Sequence, residues 1–472
     1  MSFVSWSFIA FLALMLPAYY LLSFRWQNRL LLVANYFFYG WWDWRLLILL
    51  WLSTLVDYHV GLAIGNAPPG SRRKRWLIVS VVFNLALLGA FKYFNFFTQS
   101  FSVLLSSLGI PFSLPIYAIV LPIGISFYTF QSMSYIIDVY RGNEKATDDF
   151  LTYALFVGFF PQLVAGPISR SKQLLPQFRS PRIVAAQDIM EGVALIATGY
   201  FKKIAIADAV AANVNRVFQN PGAFSSPVLL FSLYLFAIQI YCDFSGYTDI
   251  ARGVAKLFGF DLRINFRQPY LSANIAEFWR RWHISLSSWL RDYLYISMGG
   301  NRKGNARTYR NLMLTMLLGG LWHGASWNFV IWGGMHGLFL SVHRIWTRRQ
   351  RNRQGAMPVS HRLTRIAAAV LTFHLVCLAW LFFRAETLAL AWQYLKGLFS
   401  QWDYPPVSFT VTTVAYSLLV FLVDYSCART DRQTAVNPEW PVMARAGVYL
   451  TMILILSFVG QSYGQPFIYF RF

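Results

Sequence analysis

The apolar stretch from Gly319 to Gly337, GGLWHGASWNFVIWGGMHG, carries two histidines, His323 and His336. Ionisable side chains at membrane depth are costly and usually face an interior cavity or pathway. Neutral imidazole is the cheapest of them, and it can accept a proton near neutral pH. The stretch therefore predicts His323 as a functional residue, with Trp322 and Asn328 as supporting side chains. A purely structural hydrogen bond is the alternative.

His336 follows His323 by thirteen residues, which is about 220° further round a straight helix. The two imidazoles would then not share a face, and a hydrogen bond between helices explains His336 at least as well as a functional role. Pairs of glycines spaced four apart flank both histidines, and such pairs let helix backbones approach closely in membranes. The pairs are Gly320 with Gly324 and Gly333 with Gly337.

A third histidine, His283, lies in the cationic stretch from Glu277 to Arg291, EFWRRWHISLSSWLR. On a continuous helix, Ser287 would lie one turn after it and could support it. The arginines of this stretch could neutralise a phosphorylated ligand. The candidates for donor binding are Arg280, Arg281 and Arg291. The alternative is a basic helix that rests on anionic headgroups, with His283 as a polar packing residue.

Motifs of several other enzyme classes are absent from the sequence. The chain has no Gly-x-Ser-x-Gly elbow, no His-Glu-x-x-His and no P-loop, which argues against a serine hydrolase, a zinc protease and a nucleotide triphosphatase. The three cysteines, Cys242, Cys377 and Cys427, are far apart and predict neither a disulfide framework nor a zinc site. We expect no metal and no resident cofactor.

The composition indicates that these side chains are held by a membrane protein. Of the 472 residues, 57% are hydrophobic and 13% charged, whereas soluble domains are about a quarter charged. The net charge of +22 is concentrated in short basic clusters between apolar runs, such as Arg72–Arg75 and residues 344–365. That pattern is typical of cytoplasmic loops and not of a nucleic-acid-binding module.

The order of apolar and charged runs predicts the topology. An uncharged run precedes Arg25 and Arg29, and we interpret it as a retained helix whose N-terminus lies outside the cytoplasm. Hydropathy predicts about eleven to twelve spans, with an error of one or two, among thirteen candidate segments. They lie near residues 1–24, 30–42, 44–64, 76–98, 115–137, 150–166, 189–207, 226–248, 311–343 (two), 366–383, 408–426 and 446–461.

Residues 251–310 are amphipathic and too polar to span, and they predict interfacial or re-entrant helices. The predicted fold class is an all-α polytopic membrane protein with a single membrane domain over residues 1–472. Within it we expect N-terminal spans in 1–250, a catalytic core in 251–343 and C-terminal spans in 344–472.

Several short motifs occur in one order along the chain. They are Phe38–Trp42 (FYGWW), Asp243–Asp249 (DFSGYTD), Trp279–Ser287 (WRRWHISLS), Arg291–Tyr295 (RDYLY), Gly299–Arg302 (GGNR), Leu321–Gly324 (LWHG), Trp332–Gly337 (WGGMHG) and Pro466–Phe470 (PFIYF). Together they resemble the membrane-bound O-acyltransferase (MBOAT) family, and more narrowly its bacterial branch of alginate O-acetyltransferases and teichoic acid D-alanyl transferases. The resemblance covers essentially the whole chain.

The resemblance implies a ring of transmembrane helices around a thinned centre of re-entrant helices, with a tunnel through the membrane. It implies that His323 is the general base and His283 a second active-site histidine, whereas His336 is carried over only weakly. It further implies acetyl-CoA as a cytoplasmic acyl donor and a hydroxyl acceptor outside. Periplasmic or secreted acetyltransferase partners would complete O-acetylation of an exopolysaccharide of the alginate or cellulose type, at a bacterial inner membrane.

The sequence leaves two other classes open. Polytopic character alone also fits a polysaccharide or lipid transporter, and a non-catalytic scaffold of an acetylation complex would keep the same fold. A haem electron-transfer protein is disfavoured, because a helical histidine pair that holds two haems needs a second, matching pair. His283 and His374 do not form one.

Overall fold

The computed structural model describes residues 1–110, 116–117, 119–164, 166–354, 362–434, 436, 440–459 and 467–471. Within these ranges every regular element is helical, as predicted. The predicted spans 115–137 and 446–461 and the motif Pro466–Phe470 fall partly outside the described residues, and His361 lies wholly outside them.

Helices make up most of the described chain. The first ten are α1 (Trp6–Leu21), α2 (Phe24–Gly40), α3 (Leu47–Asn66), α4 (Ser71–Leu88), α5 (Phe94–Ser107), α6 (Ile125–Tyr140), α7 (Phe150–Gly158), α8 (Phe160–Leu163), α9 (Ser171–Arg179) and α10 (Ala186–Tyr200). The next ten are α11 (Ala209–Gln219), α12 (Ser226–Leu257), α13 (Ile275–Arg281), α14 (Ile284–Trp289), α15 (Asn305–His323), α16 (Trp327–Gln354), α17 (Arg362–Arg384), α18 (Leu388–Gly397), α19 (Val407–Thr430) and α20 (Val442–Val459).

Among the described residues, five helical segments are long and apolar enough to cross a membrane. They are Trp44–Asn66, Ser71–Ser107, Ser226–Leu257, Arg362–Arg384 and Val407–Thr430. Shorter apolar helices cover Trp6–Leu21, Phe150–Leu163 and Val442–Ser457. The chain is therefore an all-α polytopic membrane protein, as predicted.

Fewer helices meet this criterion than the number of spans that hydropathy predicts. Several apolar runs fold as helices too short to qualify, such as α2 and α6, with 17 and 16 residues. The polar centre predicted to be non-spanning, residues 251–310, holds the short helices α13 and α14 and a π-helical turn at Leu290–Tyr295. The ring of helices, the thinned centre and the tunnel stay predictions.

The chain divides into two compact units, each with its own core. Unit 1 comprises Met1–Gly192 and Ala251–Arg263, and unit 2 comprises Val193–Ile250 and Ile264–Phe472. The boundary expected after residue 250 falls within the single helix α12, and the boundary expected after residue 343 falls within α16. The division into a single domain with three segments stays a prediction.

In unit 1, Arg182 joins the first two helices to the end of the unit. Its Nε donates to the Tyr19 hydroxyl at 2.6 Å, and its Nη2 donates to Asn28 Oδ1 at 2.8 Å. The guanidinium also lies 4.7 Å from the ring centroid of Phe260. Arg182 is half-buried, and such partners offset the cost of removing its charge from water.

In unit 2, glycines allow α15 and α16 to approach closely. A Cβ built on Gly320 would lie 2.1 Å from the Phe329 carbonyl oxygen, and one on Gly333 would lie 2.3 Å from the Met316 carbonyl oxygen. Only glycine fits at either position without moving a backbone. The close approach predicted from the spaced glycines is therefore confirmed for these two, and it fixes the end of α15, where His323 lies.

Candidate active site

His283 lies at a break between two short helices. α13 ends at Arg281, α14 begins at Ile284, and His283 between them has φ +42° and ψ +55°. Non-glycine residues adopt this left-handed conformation only where the surroundings stabilise it. The continuous helix considered for this stretch does not form, because it breaks before His283. Ser287 still lies one helical turn after His283, and its backbone N–H donates to the His283 carbonyl at 2.9 Å.

Asn265 stabilises this break with both its backbone and its side chain. Its carbonyl oxygen accepts the Ile284 N–H at 2.9 Å. Its Oδ1 accepts the Ser285 N–H at 3.1 Å and the Ser285 hydroxyl at 2.9 Å. These bonds satisfy backbone groups that a continuous helix would otherwise pair.

The same amide oxygen determines the tautomer of His283. Asn265 Oδ1 lies 3.2 Å from His283 Nδ1, and the backbone N–H of Ser285, which can only donate, identifies that atom as oxygen. Nδ1 must therefore carry the hydrogen, which leaves a lone pair on Nε2. Burial lowers the pKa of His283 to about 3, so the ring is neutral at physiological pH.

His323 is the last residue of α15 and is only 3% exposed. Its imidazole lies 6.4 Å from that of His283, measured between ring centroids. Four aromatic rings have centroids within 6 Å of its own: Trp322, Trp332, Phe383 and Tyr469. The two histidines predicted for the site are thus brought together in one buried, aromatic surrounding.

His336 is fully buried but lies one aromatic ring away from this pair. Its Nδ1 accepts a hydrogen bond from Trp279 Nε1 at 3.3 Å. The ring of Trp332 lies 4.8 Å from that of His336 and 4.9 Å from that of His323, so it contacts both. The bond between α13 and α16 corresponds to the structural alternative given for His336.

The other supporting candidates act through the scaffold. The Ser287 hydroxyl donates to the Trp282 carbonyl at 3.0 Å. Asn328 Nδ2 donates to the Ala385 carbonyl at 2.5 Å, which ties the start of α16 to the residue that follows α17. Trp322 differs, because its ring lies directly against His323 and, at 5.8 Å, against His283.

The arginines predicted to bind the donor occupy the outer part of this region. Arg280 and Arg291 are exposed, and Arg291 pairs with Asp292 at 2.7 Å. Arg281 pairs with Glu277 at 2.8 Å. A carboxylate therefore already offsets part of the charge of two of the three.

Two motifs used for the resemblance also converge on the histidines. Phe244 packs edge-to-face on His283 at 4.8 Å, and Tyr469 lies 6.5 Å from the same ring. The backbone N–H of Ile468 donates to Asp243 Oδ2 at 2.8 Å, and Asp243 Oδ1 pairs with Lys203 at 2.6 Å. This buried ion pair anchors the C-terminal segment beside the site.

Sequence reasoning missed three contributors to the site. Asn265 and Ser285 contact His283, and Trp332 lies between His323 and His336. Asn265 carries no local signal, since its partner His283 lies 18 residues further along the chain. Ser285 stands within the quoted motif Trp279–Ser287, but its contact with the imidazole was not predicted. Trp332 lies in the motif Trp332–Gly337, but a tryptophan in an apolar run predicted only packing.

Two buried imidazoles, one with its tautomer held by an amide, can accept protons and hydrogen bonds in a water-poor surrounding. Buried imidazoles of this kind are typical of a general-base site that is shielded from solvent. Together with the helical membrane fold, this arrangement is compatible with an integral membrane enzyme.

Comparison with known proteins identifies the family. A model of the membrane-bound O-acyltransferase family, MBOAT, matches residues 145–359. The "Probable alginate O-acetylase AlgI" of Pseudomonas putida is 42% identical over 98% of this chain and 98% of its own length. A peptidoglycan O-acetyltransferase of Helicobacter pylori is 38% identical over 82% and 78%, and a teichoic acid D-alanyltransferase of Bacillus subtilis is 29% identical over 56% and 69%, respectively.

The chain belongs to the membrane-bound O-acyltransferase family, and it is an O-acyltransferase enzyme. The resemblance noted in the sequence motifs is thereby confirmed. The matched region contains all three histidines described above, whereas Tyr469 contributes from beyond it.

Proposed function

We propose that this chain transfers an acetyl group from acetyl-CoA to a hydroxyl acceptor, for the O-acetylation of an exopolysaccharide of the alginate or cellulose type. Relatives that cover nearly the whole chain support acetyl transfer and a polysaccharide as the final acceptor, since their names are alginate O-acetylase and peptidoglycan O-acetyltransferase. The donor and the roles of individual residues rest on the chemistry of the site.

The observation that carries the proposal is the buried pair His283 and His323, with ring centroids 6.4 Å apart. Each hydrogen bond to a shared oxygen would span about 2.6–3.2 Å, so the separation is compatible with one acceptor oxygen between the two rings. In the reaction, His323 takes the proton of the hydroxyl as its oxygen attacks the thioester carbon. The C–S bond then breaks, and the proton passes to the leaving CoA thiolate.

The role of His283 follows from its tautomer and its pKa. A general base works best when its pKa is near the operating pH, and a pKa of about 3 is far below it. A neutral ring with a lone pair on Nε2 can instead accept a hydrogen bond and orient the hydroxyl. The same lone pair disfavours oxyanion stabilisation by His283, because an oxyanion needs a hydrogen-bond donor.

A donor for the oxyanion is available elsewhere at the site. The indole N–H of Trp332 is fully buried and has no hydrogen-bond partner among the described residues. The same tryptophan packs against His323 at 4.9 Å. Trp332 therefore combines a buried donor with proximity to the proposed base, as a tetrahedral intermediate requires.

The sidedness of the reaction rests on the charge pattern of the loops. Basic clusters such as Arg72–Arg75 favour the cytoplasm, which supports a periplasmic N-terminus and an anionic donor on the basic side. The inner membrane is the proposed location. The acceptor is then reached from the periplasm, either as a sugar or through a serine of a periplasmic or secreted partner protein. Arg280, Arg281 and Arg291 are proposed to attract the donor phosphates.

The test is acetyl-CoA turnover by the purified full-length protein in detergent, with and without candidate periplasmic partners, read as free CoA. His323→Ala should lower the rate about 10²- to 10⁴-fold, the usual contribution of a general base. The matched control is His59→Ala, because His59 is exposed on α3 in unit 1. Wild-type protein without turnover under every condition would favour the scaffold or the transporter.

A further inference from the structure

A cleft of about 840 Å³ opens between the candidate spans α17 and α19 in unit 2. Five arginines line one end of it: Arg267, Arg281, Arg362, Arg365 and Arg429. The volume lies within the range of about 300–1,000 Å³ that is usual for ligand pockets. His283, His323 and Trp332 do not line this cleft, whereas Arg281, proposed above to attract the donor phosphates, does.

The charge at the basic end is only partly neutralised. Glu277 pairs with Arg281 at 2.8 Å and lies 3.9 Å from Arg365. Within the described residues, Arg267, Arg362 and Arg429 form no ion pair. Asp431 lines the same end, but the arginines outnumber the carboxylates, so this end of the cleft is cationic.

Beyond the arginines the cleft is mostly apolar, although His374 and Tyr425 also line it. Ile366, Val370 and Phe373 follow one another along α17, and Phe421 faces them from α19. The ring centroids of Phe373 and Phe421, which both line the cleft, lie 5.6 Å apart. From Arg362 to Phe373 the helix rises about 16 Å. This length matches the glycerol of a phospholipid together with much of one extended acyl chain.

We propose that this cleft binds an anionic phospholipid of the surrounding membrane, with its phosphate among the arginines and one acyl chain against Val370 and Phe373. Guanidinium groups pair with phosphate oxygens in a bidentate manner. Anionic lipids are concentrated in the leaflet that attracts basic juxtamembrane side chains. A soluble phosphate would account for the arginines alone. The apolar lining between two candidate spanning helices favours a phospholipid instead. This inference is independent of the proposed acetyl transfer.

The experiment uses the delipidated full-length protein in a zwitterionic detergent. Phosphatidylglycerol or phosphatidylcholine is titrated, and the thermal unfolding midpoint and the number of retained lipids by native mass spectrometry are measured. Phosphatidylglycerol should raise the midpoint saturably, because a ligand that binds only the folded state stabilises it. The double variant Arg362→Gln with Arg429→Gln should need about tenfold more phosphatidylglycerol, as expected when charge-assisted contacts are lost.

Two further variants make the test specific. Arg348→Gln with Arg349→Gln removes the same charge from exposed arginines of α16 that do not line the cleft, and its response should equal that of the wild type. Val370→Trp fills the apolar part at a side chain that is 52% exposed, so it should fold normally and still retain less phosphatidylglycerol.

Equal weakening by the control pair would overturn the proposal, because it would indicate general attraction to anionic lipid. An identical response to phosphatidylglycerol and phosphatidylcholine would also refute it. A third arm adds CoA or inorganic phosphate. If either displaces phosphatidylglycerol at a lower concentration than the lipid itself requires, the cleft is a site for soluble phosphates and not for a membrane lipid.

Discussion

Replacing Gly333 by alanine should disturb the active site from a distance. The new Cβ would lie 2.3 Å from the Met316 carbonyl oxygen, whereas ordinary contacts begin at 3.4 Å, so α15 and α16 must separate by about 1 Å. Overpacking of this kind costs about 1–3 kcal/mol. Because His323 ends α15 and Trp332 precedes the substitution, the same shift misplaces the proposed base. Displacements of about 1 Å can cost on the order of 100-fold in rate.

The neighbouring residue provides a matched control. A Cβ on Gly334 would meet only Leu317 Cδ2, at 3.5 Å, so Gly334→Ala should fit without displacement. Both variants gain the same helix propensity, about 0.5–1 kcal/mol, so the difference between them isolates the cost of overpacking. The assay is denaturant unfolding of the purified protein together with CoA release. If Gly333→Ala proves as stable and as active as Gly334→Ala, the close approach does not position His323.

Three other predictions concern the scaffold of the site. Ser285→Ala removes the hydroxyl that holds the amide beside His283 and should reduce kcat about threefold to tenfold, whereas Ser287→Ala should stay within about twofold; equal effects would contradict this assignment. His283 has a pKa of about 3 in the folded chain against an ordinary 6.5, so the unfolded chain binds the extra proton. The contribution of His283 to stability is therefore full above about pH 6.5 and is lost progressively as the pH falls toward about 3. In His283→Gln the free energy of unfolding should depend less steeply on pH than in the wild type between about pH 6 and about pH 4. An unchanged dependence on pH would refute the burial argument. Asn328→Leu breaks the bond from α16 to the carbonyl that follows α17 and should cost about 1–3 kcal/mol in unfolding free energy, a value that denaturant titration can measure or exclude.

Much of the fold follows from local features of the chain. Long apolar runs such as Ser226–Leu257 predict spanning helices because only helices and barrels satisfy backbone groups in lipid. The number of spans stays a prediction, because hydropathy measures composition and not where a helix ends. The apolar run at α10 illustrates this, since it passes into a π-helical segment at Phe201–Asp208.

The sequence by itself determined the class of protein, the family motifs and the two histidines. These depend on residue type and on order along the chain, which motifs record directly. Gly320 and Gly333 could also be read from their spacing as sites of close helix approach, because four residues bring side chains to one helix face.

Only the tertiary structure decided how those residues act on one another. The left-handed conformation of His283 and its tautomer depend on Asn265, which lies in a separate loop. The place of Trp332 between His323 and His336 depends on how α15, α16 and α13 pack. Secondary-structure patterns extend over a few residues, whereas hydrogen bonds and ring contacts between helices arise only when distant segments fold against one another.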